Sequence, residues 1–197
     1  MRPLPQEAWN AWHPAELMKR LGTDIHWYVV GGWALDLWHG RQTRDHEDLE
    51  FAVLREDIER ARSLLGKLTF FTVVDGQIDY LPSSVPPAAH VAQLWGADPV
   101  EGRWRVDMMP ERGTPATWVY KRDLSLTMPR SAMIRKTSDG LPFLAPAAIL
   151  LFKAKHRRDK DEKDFDLALP RLAASERDDL RRWLEKLHPD HDWIARL

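Results

Sequence analysis

The apolar positions change their period along the chain. From Pro14 to Leu21 they fall on one helical face, Leu17, Met18 and Leu21, and Gly22 follows as a stop. "IHWYVV", Ile25 to Val30, is a continuous run that predicts a buried strand. A short helix is predicted over Trp33–His39, closed by Gly40, and a second strand over Asp48–Leu54. Ile58, Ala61 and Leu65 mark another helix that ends at Gly66. Asp75-Gly76 between "TFFTVV" and "QIDYL" predicts a hairpin, and a second is predicted to join "HVAQLW" to "RWRVDMM" through "GADPVEG". Beyond Pro110 the pattern is irregular, with short strands predicted in "ATWVY" and "AMIRKT" and an extended piece in "DGLPFLAP". Ala147–His156 is predicted helical. So is the chain from about Asp161, where Leu180, Trp183, Leu184 and Leu187 recur at i, i+3, i+4 and i+7 before His188-Pro189.

Early alternation of helix and strand, a hairpin-rich middle and a helical end predict a small α/β (α+β) sheet, partly antiparallel, with a helical C-terminal cap. Residues 1–145 are expected to form the core, and 146–197 the cap packed on it. Composition narrows the chemistry. Twenty-nine basic side chains against 30 acidic ones give a net charge of -1, which disfavours a nucleic-acid binder that relies on a bulk basic field. There is no cysteine, so disulfides and thiolate metal sites are excluded and any metal must be held by oxygen or imidazole. No apolar run approaches the roughly 20 residues of a membrane span, and the N-terminus does not read as a leader. A soluble, cytoplasmic protein is expected. The 10 tryptophans are expected mainly in the core or in groove walls.

The candidate chemistry lies in "VVGGWALDLWHGRQTRDHEDLEF", Val29 to Phe51. On a strand, Asp48 and Glu50 project to one side while Leu49 and Phe51 face the core. Two carboxylates on one face repel, so a cation is expected between them. Without cysteine, Mg²⁺ fits best. A third acid, Asp107, sits in the alternating run "RWRVDMM" and would reach the same metal if the two strands were neighbours. Gly31-Gly32, after a strand and before a helix, allow a tight turn whose N–H groups can face an anion. A glycine turn beside a carboxylate cluster is the equipment of phosphoryl or nucleotidyl transfer. Each element also has a plainer reading: a mere turn, a solvent-facing pair, a partner for Arg105.

Val30-Gly31-Gly32, Asp48-Leu49-Glu50-Phe51 and Asp107 together resemble the nucleotidyltransferase superfamily of the DNA polymerase beta type. The longer string "GGWALDLWHGRQTRDHEDLE" and the late "LLFKAKHRRDKDEKDFDLALPRL" resemble the branch of aminoglycoside 2''-adenylyltransferases and small lincosamide nucleotidyltransferases. The resemblance implies the nucleotidyltransferase fold and a Mg²⁺-dependent transfer of a nucleoside monophosphate from ATP or another nucleoside triphosphate. The acceptor would be a hydroxyl, on a small aminoglycoside-like or lincosamide-like molecule. It implies that Gly31 and Gly32 contact the triphosphate, that Asp48, Glu50 and Asp107 hold the metal, and that Asp107 handles the acceptor's proton. Arg41 and Arg44 either bind triphosphate or pair with Asp36 or Asp45 to lock the loop. His46 is expected to hydrogen-bond within that loop. Lys153 and Lys155 are candidates to close over the phosphates, with Lys155 chosen as the ligand. Trp33, Trp95 and Trp118 could stack on a base, although core packing is the commoner fate. Rival readings are a silent or regulatory protein of the same fold, and a toxin-like transferase acting on protein or RNA.

Overall fold

Pro14, whose fixed φ suits a first helical turn, opens α1 (Pro14–Leu21), and Gly22 closes it at φ +61°. The computed structural model describes residues 1–197. After α1 come β1 (Trp27–Val29), α2 (Gly31–His39), β2 (Glu50–Leu54) and α3 (Ile58–Leu64). β3 (Thr69–Val74) and β4 (Gln77–Leu81) form a hairpin whose turn residues, Asp75 and Gly76, have φ +49° and +80°. Both angles are positive, as a two-residue hairpin turn of matching twist requires. A second hairpin follows in β5 (Leu94–Asp98) and β6 (Arg103–Glu111). The chain continues through β7 (Thr117–Val119), β8 (Thr127–Pro129), α4 (Arg130–Met133), β9 (Ile134–Lys136) and β10 (Pro142–Leu144). It ends in α5 (Pro146–Ala154), α6 (Asp159–Ala168) and α7 (Ala174–Leu187).

Eight strands form one mixed sheet in the order β4-β3-β5-β6-β2-β1-β10-β9, while β7 and β8 pair separately. β2 runs parallel to β6, and β1 parallel to β10; the remaining pairings are antiparallel. β6 is therefore an inner strand, and Trp104, Val106 and Met108 along it are fully buried. The N-terminal segment extends this layer: Asn10 and Trp12 N–H groups donate to the Trp104 and Arg105 carbonyls, each at 3.1 Å. Trp9, Trp95 and Trp104 pack there in one aromatic cluster.

α5 is apolar nearly all round. Ala147 to Leu151 are all buried, because the helix packs against α2, α6 and α7 together. Phe165 of α6 stacks on Trp193 with ring centroids 4.1 Å apart and planes 5° apart. A single hydrophobic cluster runs from Leu17 to Trp193 and so includes residues on both sides of position 145. No helix is long and apolar enough to cross a membrane.

Three sequence expectations change in detail. The helix expected from Trp33 begins at Gly31, so the glycine pair is its first turn. Asp48 precedes the second strand, which starts only at Glu50. "AMIRKT" opens in the helical turn of α4, which Pro129 introduces as N-cap, and becomes extended from Ile134.

Candidate active site

β2 and β6 pair in parallel with Glu50 opposite Asp107. Neighbouring strands lie about 4.8 Å apart, and partners in register project to the same side of the sheet. Asp48, half-buried, stands two residues ahead of Glu50 in the stretch that leads into the strand. The three acids sense one another. Burial, and then the charge of Asp48, raises the Glu50 pKa. Asp107 is only 2% exposed; burial first, then the Glu50 charge and to a lesser degree that of Asp48, push its pKa well above the ordinary carboxylate range.

No side chain forms an ion pair with this cluster, although Lys121, Lys153 and Arg158 act on Glu50 at longer range. The neighbouring ion pairs, Arg44–Asp164, Arg130–Glu111, Lys153–Asp161 and Arg158–Asp161, all use other carboxylates. Gln93 Nε2 donates to Asp107 Oδ2, while Asp107 Oδ1 is buried with no hydrogen-bond partner. Asp48, Glu50 and Asp107 do not bring one oxygen each within 4.8 Å of one another; the group that does bring one ligand atom each that close is His26, Glu56 and Asp57, at the opposite end of β2. Uncompensated, oxygen-only donors with a buried unpaired atom suit a hard divalent cation such as Mg²⁺.

The glycines divide two tasks. Gly31 has φ +65°, and a Cβ there would overlap Glu50 Oε2, so glycine is what lets the carboxylate lie against the first turn of α2. A Cβ on Gly32 would instead overlap Arg44 Nη2 and come within 2.6 Å of the His46 ring. Gly32 thus makes room for the loop that leads to Asp48, and Gly31 for the acid that follows.

That loop is locked by Asp36, buried on α2. Its Oδ1 accepts from the Thr43 N–H at 3.1 Å and the Thr43 hydroxyl at 2.5 Å, and its Oδ2 lies 2.5 Å from His46 Nε2. Burial, outweighing the hydrogen bond to Asp36, lowers the His46 pKa, so the ring is neutral near pH 7. Nε2 then carries the proton, and Nδ1 accepts from Arg44 Nη1 at 3.1 Å. Arg44 also reaches Asp164 on α6, at 3.2 and 3.3 Å. Lys153 binds Asp164 and Asp161, each at 2.8 Å, and Arg158 binds Asp161. Despite the cost of burial, the bonds from Arg158 and Lys153 hold the Asp161 carboxyl down to about 2. A chain of charge pairs thereby ties the loop before Asp48 to the C-terminal helices.

A cavity of about 350 Å³ opens beside Gly31 and Glu50. Its apolar wall includes Tyr28, Met109, Trp118 and Phe152; Trp118 Nε1 donates to the Tyr28 hydroxyl at 3.1 Å. Of its other carboxylates, Glu111 receives Arg130 Nη2 on both oxygens at 2.7 Å, and Asp161 is paired as above. Lys153 and Arg158 line the cavity; Lys155 is exposed, outside the lining. Arg41 is also exposed and lines a separate depression with Trp38 and Lys136. Trp33 packs between His13 and His46, Trp95 lies in the N-terminal aromatic cluster, and Trp118 alone of the three lines the cavity. Sequence reasoning passed over Lys121 and Gln93. Gln93 alternates correctly with Trp95 to share the Asp107 side of the sheet, a signal that was available.

Residues 16–90 match the family model described as aminoglycoside-2''-adenylyltransferase. No curated protein sequence matches the chain. Among solved structures, ANT(2'')-Ia in complex with adenylyl-2''-tobramycin superposes with a TM-score of 0.58 at 13% identity, covering 88% of this chain and 93% of that one. The fold is that of the nucleotidyltransferases. The solution structure of the antibiotic-resistance factor ANT(2'')-Ia gives a TM-score of 0.54 at 14% identity, over 89% of each chain. Lincomycin-bound lincosamide antibiotic adenylyltransferase LnuA gives 0.51 at 15% identity, over 77% of this chain and 89% of that one. The matched stretch carries the glycine pair, Asp48 and Glu50 of the nucleotidyltransferase pattern, and ends before Asp107. The resemblance read from the sequence, to this branch of the superfamily, is thus met by the family match and the nucleotidyltransferase fold alike.

Two outcomes follow from this geometry. Gly31→Ala forces a Cβ into a left-handed backbone and against Glu50, and is expected to cost about 1–2 kcal/mol in chemical denaturation. Asp161 has its pKa depressed on folding, so its contribution to stability is present above pH 3.8 and is lost as pH falls through about 2. Asp161→Asn is expected to flatten the pH dependence of the unfolding midpoint across that window relative to wild type.

Proposed function

We propose that the protein is a metal-dependent nucleotidyltransferase that moves a nucleoside monophosphate, from ATP or another nucleoside triphosphate, onto a hydroxyl of a small molecule. The observation that carries this reading is the registered pair Glu50 and Asp107, with Asp48 beside them, left without a cationic partner next to the Gly31 turn. The partial family match and the shared fold support it. ANT(2'')-Ia with adenylyl-2''-tobramycin and lincomycin-bound LnuA both pair this fold with a small hydroxylated antibiotic, which supports an acceptor of that size.

Asp48, Glu50 and Asp107 would hold Mg²⁺, which when bound neutralises phosphate charge. Gly31 presents the first turn of α2, whose N–H groups have no partner within the helix, to the phosphate chain. The acceptor oxygen attacks the α-phosphorus and forms the new P–O bond. The bond from that phosphorus to its bridging oxygen breaks, and pyrophosphate leaves with the electron pair. The Asp107 carboxylate takes the acceptor's proton, directly or by orienting the hydroxyl. Tyr28, Trp118 and Phe152 give the cavity an apolar wall broad enough for a base or for the ring of an acceptor. Arg44 acts on the loop rather than on substrate, since both its faces are already engaged by Asp164 and His46.

The test is pyrophosphate release from labelled triphosphates with Mg²⁺, in the presence of hydroxylated small molecules. Asp107→Asn is expected to lower turnover at least about a hundredfold, the scale of losing one electrostatic contact to the transition state. Because it replaces a buried carboxyl whose ionised form is opposed by burial and by Glu50, the same variant is expected to melt at or above the wild-type temperature. Undiminished turnover in Asp107→Asn, or label arriving on protein or RNA in place of the small molecule, would contradict the reading.

A further inference from the structure

Five basic side chains line the cavity, and their commitments differ. Lys153 is bound by Asp161 and Asp164, and Arg158 by Asp161, so both charges are already answered within the protein. Arg122 donates to the Phe152 carbonyl at 2.8 Å, with its guanidinium 5.2 Å from the Phe152 ring centre. His156 is exposed at the rim. Lys121 is the exception: its ammonium meets only Met109 Sδ, at 3.6 Å, a weak acceptor, and the Phe152 ring at 5.8 Å. It forms no ion pair although its charge acts on both Glu50 and Asp107.

The segment that carries it is held at both ends. Tyr120, 1% exposed, packs on Phe152 with ring centroids 4.6 Å apart, and Arg122 caps the same residue's carbonyl. Further along, Lys186 of α7 binds Asp123 at 2.9 Å and Ser125 at 2.7 Å. The stretch between β7 and β8 is therefore a strap fixed to α5 and α7, and Lys121, exposed on it, lines the cavity together with Glu50. An ammonium without an ion-pair partner, on a strap held at both ends and lining one cavity with Glu50, is placed to meet an anion bound there.

We propose that Lys121 is the residue that binds the β- and γ-phosphates of the donor and then the departing pyrophosphate, with Arg122 a positioning residue that holds the strap to the C-terminal helices. This rests on the nucleotidyl-transfer reading above. It moves the phosphate-binding role from the C-terminal segment, where Lys153 is internally neutralised and Lys155 lies outside the cavity, to the strap after β7.

The test is calorimetric binding, with Mg²⁺ present, of a non-hydrolysable ATP analogue, pyrophosphate and AMP to wild type, Lys121→Ala and Lys121→Arg, with thermal melting as the folding control. Lys121→Ala is expected to weaken the analogue and pyrophosphate about tenfold or more, the scale of one charge-assisted contact, and to leave AMP unchanged. Lys121→Arg is expected to recover most of the loss. Equal weakening of all three ligands, or no weakening of pyrophosphate, overturns the assignment of Lys121. A wild-type protein that binds neither the analogue nor pyrophosphate would instead remove the nucleotidyl-transfer reading on which it stands.

Discussion

Three carboxylates held together without a counter-charge set the terms for the rest of this structure. Two of them lie opposite each other on a parallel strand pair inside the sheet, and the third sits at the entrance to one of those strands. Such a cluster is unfavourable by itself, since burial and mutual repulsion both favour the protonated acids. The surrounding fold over-determines it. β6 is pinned between β5 and β2, with its apolar face fully buried, and Gly31 gives up a side chain so that Glu50 can lie against α2. Stability is spent locally, as the proposed cation site requires.

The same constraint explains the charge network around it. Basic side chains adjacent to three free acids would ordinarily collapse onto them. Here Lys153, Arg158 and Arg44 are held by Asp161 and Asp164 of α6, and Arg130 by Glu111. Providing dedicated partners for these cations keeps the cluster open. The pairs also join the loop before Asp48 to the C-terminal helices, so the acids and the cavity wall are positioned by one connected set of contacts.

Much of this was legible from the sequence where a period could be read. Alternation in "DLEF" and "RWRVDMM" put Glu50 and Asp107 on the side away from the apolar residues of their strands, but that the two strands are neighbours came only with the β2–β6 pairing; the helical period found α1, α2, α5 and α7. Asp48 could not be placed so well, because strand formation begins at Glu50 and a side chain outside the ladder has no fixed side. Lys153 and Lys155 look equivalent in a charge-rich segment, yet α5 ends at Ala154, and two residues correspond to about 200° around a helix. Lys121 was not legible at all. It follows a three-residue strand in an aperiodic stretch, and its position comes from Tyr120, Arg122 and Asp123 contacting α5 and α7, distant in sequence.

The most direct measurement is the melting temperature of the protein as MgCl₂ is raised at constant ionic strength, in wild type and in the Glu50→Gln, Asp107→Asn double variant. Cation binding to the folded state alone raises the melting temperature by mass action. The expected result is a rise in wild type that the double variant lacks, starting from a higher metal-free value in the variant. A wild-type melting temperature that does not respond to Mg²⁺, or an equal rise in both proteins, would contradict the claim that these carboxylates form a cation site.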